Sequence, residues 1–488
     1  GKLARSPFAV GLLVSRPILI PLIVACALFM ETLDATVIST ALPAIADSFG
    51  ENPLRLNLAI SCYLLSLAVF VPVSGWVADR IGARTVFRLA ILVFVAGSVL
   101  CGSSSSLGEL VTGRIVQGAG GAMMMPVGRL VLLRSVPKSQ LINAMAWVTV
   151  PALVGPVVGP PLGGFITTYV DWSWIFWINV PIGIVGVVLA TLFIRERPAE
   201  RPPRLDLPGF VLVALALSGL VLGFETLGRG IVPGWATGSL IAVGLGATVL
   251  YLRHARRAQA PLVDLGLLRV PTFRASMIGG FLFRIGTGAL PFLLPMLFQL
   301  GFGMSPLESG LLTFVTALGA ISMKFLARPA LKRWGFRAVL TANALLAGSF
   351  IAFYGLFRPD MPTALILAAL FTGGFFRSLQ FTSLNALAYA DVSERQMSRA
   401  TSFASMAQQL SMAVGVGVGA LALHYTVLLG GGEVPSVGDF TPAFLLVGAI
   451  SALSAVVCRS LPPEAGAELA GRMAAAGTAA AEERKAAE

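Results

Sequence analysis

From residue 17 to residue 460 the chain alternates long apolar runs with short polar connections. A bilayer hydrocarbon core about 30 Å thick needs roughly 20 residues of α-helix to cross it. About fourteen stretches reach spanning length: 17–45, 54–79, 85–104, 107–133, 139–167, 172–194, 207–226, 234–252, 273–300, 306–329, 337–356, 362–388, 399–428 and 440–460. The pattern therefore predicts an all-α polytopic membrane protein. Connections rich in bases alternate with nearly uncharged ones. Arg80, Arg84 and Arg88; Arg134 and Lys138; Arg195, Arg197, Arg201 and Arg204; Arg253, Arg256 and Arg257; Lys332, Arg333 and Arg337; and Arg395 and Arg399 fall on one side with Lys2, Arg5 and Arg16. Only Arg55, Arg229 and Arg358 fall on the other. Cytoplasmic loops carry the excess of Lys and Arg, so both termini are expected in the cytoplasm.

The chain also repeats itself. Gly82-Ala83-Arg84 after the second span has a counterpart in Gly335-Phe336-Arg337 after the tenth, with Arg80 matched by Arg333. Gly155 and Gly159 in the fifth span match Gly415 and Gly419 in the thirteenth. Both matches imply an offset of eight spans, which predicts two six-span halves flanking an inserted pair. The expected division is 1–194 for the first half, 195–257 for a linker and two inserted helices, 258–461 for the second half, and 462–488 for a cytoplasmic tail. The Ala- and Glu-rich tail reads as a polar helix or a disordered end. Carriers that work by alternating access are built from such repeats, with the substrate site at the midplane between them.

Composition sharpens the class. Charged residues make up 12% of the chain and hydrophobic ones 56%, against about 25% charged in a typical soluble domain. The net charge of +12 raises the question of nucleic acid, but the bases sit in short loops between apolar runs and form no continuous stripe. Cys26, Cys62, Cys101 and Cys458 are far apart inside apolar segments, so they read as packing residues rather than a disulfide or zinc framework. The chain opens on Gly1, which suggests a trimmed start, and no cleavable signal with a small-residue site is evident. His254 and His424 are the only histidines, too few for a His-based triad or metal cluster. No Gly-rich loop ends in Lys-Ser or Lys-Thr, so ATP is not expected to drive the protein directly. Enzyme, cofactor and metal readings are thereby set aside.

The candidate chemistry centres on residues 31 to 43, where Glu31 and Asp34 lie inside an apolar run. Three residues apart on a helix, they project from nearly one face. Ionised acids at mid-membrane are costly, so they line cavities or proton paths. Two such carboxyls in low dielectric cannot both ionise cheaply, and the pair is expected to exchange protons. The plainer alternative is an acid that only pairs with a base on a facing helix. Arg114 lies about two turns inside the fourth span and cannot shed its charge, so it must find an acid, carbonyls or water. A first-span carboxylate is the expected partner. The assignment favoured here gives the proton to Asp34, with Glu31 tuning it or meeting a cationic substrate.

These residues sit in motifs with a family resemblance. Gly75-Trp76-Val77-Ala78-Asp79-Arg80-Ile81-Gly82-Ala83-Arg84 resembles the loop 2-3 motif of the major facilitator superfamily, and Leu110 to Gly120, containing Gly113-Arg114 and Gln117, resembles its fourth-span motif. Gly155-Pro156 with Gly159, Gly163 and Gly164 resembles the antiporter motif of the fifth span. The run Trp172 to Gly183, together with the Asp34 stretch, is similar to signatures of the fourteen-span drug:proton antiporters of EmrB/QacA type. Gly120 to Arg129 looks most like the MdtD/HsrA-like multidrug exporters. Three positions depart from the pattern: Ser39 replaces the usual Asn, Pro160 interrupts the antiporter glycines, and Lys332 stands where the first half has Asp79. The resemblance implies that Asp79, with Gly82 in the same gating motif, anchors a contact between the halves. Pseudosymmetric packing would bring the start of the thirteenth span, around Ser398 to Thr401, nearby, and its helix N-terminus is expected to receive the Asp79 carboxylate, with Arg80 or Arg84 completing the charge network.

Further candidates are weaker. Met123, Met124 and Met125 suit either an adaptable pocket or core. Gln117, Gln380, Asn385, Gln408 and Gln409 suit a polar cavity lining. Arg284 lies at a depth comparable to Glu31 and is expected opposite the acids. Arg377 and Lys324 lie nearer the cytoplasmic end, and Lys324 reads as a snorkelling residue. Glu225, at the outer end of the seventh span, reads as solvated. The expectation is a monomeric, proton-coupled exporter in the bacterial inner membrane, moving lipophilic small molecules outward, with cationic drugs among the candidates. Its alternatives are export of a physiological lipid, peptide or metabolite and, from another class, a non-transporting sensor or channel.

Overall fold

The computed structural model describes residues 16–135, 141–194, 205–227, 232–258, 261–393, 396–432 and 434–467, with backbone alone for 16–18, 133–134, 141–153, 325, 328 and 398. The expected linker around 195–204 and the tail beyond 467 lie outside the described residues. Every regular element among the described residues is helical: α1 (Arg16–Val37), α2 (Leu42–Phe49), α3 (Asn57–Ile81), α4 (Ala83–Gly102), α5 (Leu107–Ser135), α6 (Leu141–Tyr169), α7 (Trp174–Trp177), α8 (Asn179–Phe193), α9 (Leu207–Thr226), α10 (Gly234–Ala255), α11 (Pro271–Met296), α12 (Pro306–Tyr354), α13 (Thr363–Leu387), α14 (Met397–Leu429), α15 (Val437–Ala452) and α16 (Ser454–Arg459), with short 3-10 and π turns between them. Thirteen helical stretches are long and apolar enough to cross a membrane among the described residues. The expected span 139–167 coincides with α6.

Local sequence accounts for the breaks. The expected first span, 17–45, is interrupted: α1 ends at Val37, a 3-10 turn covers Ile38–Thr40, and α2 resumes with Pro43 in its first turn. Proline lacks the N–H that would continue α1 but suits the start of a new helix. Capping boxes open α12 at Ser305 and Glu308 and α15 at Ser436 and Asp439, each satisfying otherwise orphaned amides. α3 meets α4 at Gly82 (φ 102°), and the two arms of the 49-residue α12 meet at Gly335 (φ 77°). These are the two glycines matched by the repeat, and a side chain at either would be strained.

Helix packing follows the same symmetry. α1 lies against α6 and α11 against α14. A Cβ on Gly155, Gly159 or Gly163 would collide with Thr32, Thr36 or the Val37 carbonyl, and one on Gly415 would collide with the Ile285 carbonyl. Small residues let these backbones approach closely. α1–α8 and α11–α16 form two six-span bundles, joined where α6 meets α12 and α3 meets α14. The inserted α9 and α10 pack on each other and lie against α3 and α14 through α9.

Glu225 corrects the solvated reading. It is fully buried on α9 and accepts hydrogen bonds from Asn57 Nδ2 and from Ser61 Oγ (2.5 Å), both on α3. The reason is the seating of α9 in the seam between the bundles, which turns the end of the helix inward. At the other end of the pair, Asp206 accepts from Gly209 N at 3.0 Å, meets His254 Nε2 at 2.6 Å and accepts from Leu262 N at 3.2 Å.

The two ends of the molecule differ. At the end carrying Ile38–Ala46, Leu54 and Trp172, one apolar cluster runs continuously from the first bundle into Phe292–Phe298, Tyr354 and Phe444 of the second. Gln299 Nε2 donates to the Thr40 carbonyl there at 2.9 Å, and Leu307 N donates to Thr168 Oγ1 at 3.2 Å. Toward the opposite end each bundle has its own cluster, one around Phe87 and Phe94 and the other around Phe283 and Phe336.

Candidate functional site

α1 carries Asp34 into the interior of the first bundle, where it is 1% exposed. α5 supplies Arg114 and Gln117, three residues apart and so on one face of that helix. Arg114 Nη1 lies 2.6 Å from Asp34 Oδ2 and donates to Gln117 Oε1 at 2.7 Å. Gln117 Nε2 donates to Asp34 Oδ1 at 2.7 Å, and Asn179 Nδ2 at the start of α8 donates to the same oxygen at 2.9 Å. Ser98 on α4 accepts from both amides, at 2.8 and 3.2 Å. Arg114 Nε reaches the Ala59 carbonyl at 3.1 Å, and its guanidinium carbon sits 4.1 Å from the Tyr63 ring centroid, both on α3. Five helices thus converge on one carboxylate and one guanidinium that are completely out of solvent. A buried pair survives only with such additional hydrogen bonds, and a guanidinium cannot neutralise itself by losing its proton.

The expected pairing of Arg114 with a first-span acid is thereby present, and Asp34 is the acid chosen. Glu31, one turn earlier, is 7% exposed. Its Oε2 and the Tyr63 hydroxyl are buried without a hydrogen-bonding partner among the described residues, as is Arg114 Nη2. Gly121 makes room for this pair, since a Cβ there would lie 3.2 Å from Tyr63 Oη and 3.6 Å from Glu31 Cγ. The network includes two residues to which sequence reasoning gave no role. Ser98 and Asn179 each lie inside an apolar run, and their presence at that depth was the available signal.

Asp79 is half-buried near the end of α3, followed by exposed Arg80 and by Gly82. Arg84 Nη2 donates to the Thr191 carbonyl of α8 within its own bundle. The Ser398 side chain, at the expected docking point on α14, lies outside the described residues.

A cavity of about 400 Å³ separates the bundles. The first bundle contributes Thr36, Ser39, Pro156 and Pro160 to it. The second contributes a larger wall from α11, α12, α13 and α14, including Thr313, Thr316, Lys324, Arg377, Ser378 and Phe381. The structure therefore assigns Lys324, expected to snorkel, to the cavity lining. None of the residues expected to line a cavity is among those that line this one. Gln117 is in the Asp34 network, and Met123 and Met124 belong to the first bundle's cluster. Gln380 is fully buried and accepts from Asn343 Nδ2 at 3.0 Å. Arg284 is 2% exposed, donates to Asn385 Oδ1 at 2.7 Å and packs over Phe381. Gln408 is half-buried on α14. Gly164 meets the Pro306 carbonyl and Gly310 meets the Pro160 carbonyl, so the antiporter-motif helix forms part of the seam between bundles.

The family model described as Major Facilitator Superfamily matches residues 24–256 and 276–485. Over 450 residues the chain is 41% identical to "Putative multidrug resistance protein MdtD" of Klebsiella pneumoniae, covering 91% of this chain and 94% of that one. It is 40% identical over 449 residues to the protein of the same name from Pectobacterium carotovorum, covering 91% and 95%. Among solved structures, a POT family transporter in complex with 5-aminolevulinic acid superposes with a TM-score of 0.67 at 14% identity, covering 91% and 94%, a likeness of fold alone.

Proposed function

Since this chain belongs to the major facilitator superfamily, a family of transporters and not of enzymes, we propose that it is a proton-coupled exporter of lipophilic small molecules working by alternating access. The relatives named as multidrug resistance proteins support the export reading. The observation that carries the coupling is the buried Asp34–Arg114 pair at 2.6 Å, with Glu31 one turn away on α1. Protonation of the carboxylate would remove the partner that Arg114 cannot do without, so proton occupancy and helix packing are linked at this point. Glu31 and Tyr63 extend the polar path. Proton entry yields roughly 2.3 kcal/mol per 100 mV of membrane potential, which is the work available for export.

The end closed by the shared apolar cluster is the outer one in this reading, and the bundles open toward the side bearing the clustered bases. The protein then sits in the bacterial inner membrane with both termini in the cytoplasm, acting as a monomer, in the inward-facing state. Asp79 would dock on the first turn of α14 when that side closes, since a helix N-terminus attracts a carboxylate. In everted vesicles holding a respiratory pH gradient, at least one member of a panel of lipophilic cations, anions and neutral dyes is expected to discharge the gradient through the wild-type protein and not through Asp34→Asn. Equal responses in both, with Glu31→Gln inactive, would move the proton to Glu31. No response from any compound would reject proton-coupled export.

A further inference from the structure

We infer that the second bundle's wall of the central cavity binds the negatively charged group of an amphipathic organic anion, so that the substrates include lipophilic carboxylates, sulfonates or phosphates. The inference rests on the export reading and concerns the charge its substrates carry.

The two bundles divide the intramembrane charges unequally. Glu31 and Asp34 belong to the first, and neither lines the cavity; Asp34 is already engaged by Arg114, Gln117 and Asn179. In helices α11–α16 the only acids are Glu308 and Asp439, both held in capping boxes at helix starts. The cavity lining contains Lys324 and Arg377 and no carboxylate. Neither cation forms an ion pair among the described residues, and Arg377 Nη2 has only Thr316 Oγ1, at 3.5 Å. A cationic substrate entering here would meet two like charges and no counter-ion. An anion would supply the partner that a cation in a low-dielectric wall otherwise lacks.

Two hydroxyls beside those cations are already engaged as donors. Thr316 Oγ1 already donates to the Thr313 carbonyl at 2.7 Å, and Ser378 Oγ to the Ala320 carbonyl at 2.8 Å. That leaves the guanidinium fork and the ammonium to grip the charged group, and a planar guanidinium suits two oxygens of a carboxylate, sulfonate or phosphate. Leu290, Leu294, Ile321, Phe381 and Met412 supply apolar surface for the rest of the ligand. The volume of about 400 Å³ lies within the range of small-molecule sites. Export of a monoanion also runs with, and not against, an inside-negative potential.

The test uses three probes with one ring system: naphthalene-2-sulfonate, 2-naphthylmethanol and 2-naphthylmethylammonium. Their binding to the full chain in nanodiscs of uncharged phosphatidylcholine is measured by titration calorimetry. The sulfonate is expected to bind at least tenfold more tightly than the alcohol, and the ammonium more weakly than the alcohol. Lys324→Gln and Arg377→Gln should each weaken the sulfonate about tenfold and leave the alcohol unchanged, so alcohol binding reports that each variant is folded. An ammonium that binds as well as the sulfonate, variants that bind the sulfonate like wild type, or no sulfonate binding at all would overturn the inference. The same probes in everted vesicles separate it from the export reading. Discharge of the pH gradient by the ammonium alone leaves export standing and removes the anion site. Sulfonate binding without discharge by any probe leaves the site and removes coupled export.

Discussion

Arg114 has no inexpensive substitute because its neighbours use different parts of the guanidinium. Nη1 meets Asp34 and Gln117, Nε meets the Ala59 carbonyl, and the plane lies over Tyr63. Arg114→Ala would leave Asp34 as a buried carboxylate short of its counter-ion, a loss of about 3–5 kcal/mol when one partner of a buried pair is removed. Arg114→Lys keeps the charge but not the fork. The Ala variant is expected to unfold at markedly lower temperature in detergent, with the Lys variant between it and wild type. The double variant Asp34→Leu with Arg114→Met should regain much of the lost stability while remaining unable to couple, because no charge is then buried alone. Thermal unfolding of the three purified proteins, followed by intrinsic fluorescence, decides this. A double variant no more stable than Arg114→Ala would mean the pair is held for more than charge compensation.

At the scale of elements, the inserted helices are attached through two polar clasps as well as apolar packing. Glu225 joins α9 to α3 through Asn57 and Ser61, and Asp206 joins the start of α9 to His254 at the end of α10. Glu225→Ala removes the acceptor that Asn57 Nδ2 and Ser61 Oγ share in the buried seam, and an unsatisfied buried group costs about 1–3 kcal/mol. Glu225→Gln keeps one acceptor oxygen in place. The Ala variant should therefore open the α9–α3 contact, seen as faster hydrogen exchange in Asn57–Leu65 and Val221–Thr226, while the Gln variant exchanges nearly as wild type. Unchanged exchange in the Ala variant would show that apolar contacts hold the pair unaided.

The whole molecule is closed at one end by a cluster that belongs to both bundles and separated at the other into two clusters, with the cavity between. The alternating access proposed above requires the closed end to part during each cycle. Thr168 on α6 and Leu307 on α12 meet across this end, with Leu307 N donating to Thr168 Oγ1 at 3.2 Å. Cysteines placed at these two positions and joined by a short thiol cross-linker should stop transport, and reduction of a cleavable cross-linker should restore it. Full activity in the cross-linked protein would show that this end does not open. The four native cysteines are buried or half-buried, so the introduced pair should react first.

Sequence alone determined the elements whose causes are local: apolar runs of spanning length, proline at helix starts, the glycines at 82 and 335 where the chain must turn with positive φ, and the repeat that sets two bundles around an inserted pair. It also placed Glu31, Asp34 and Arg114 in the interior, because a charge inside an apolar run has to be buried with a partner or with water. Which carboxylate takes the guanidinium was decided only by packing, since Glu31 and Asp34 lie on nearly one face and differ by less than a turn. Ser98 and Asn179 joined the network, Glu225 turned into a seam, and Lys324 and Arg377 came to line the cavity through the same cause. A helix's hydropathy states that its polar groups must be satisfied. Only the neighbours that tertiary structure sets against each face determine by what.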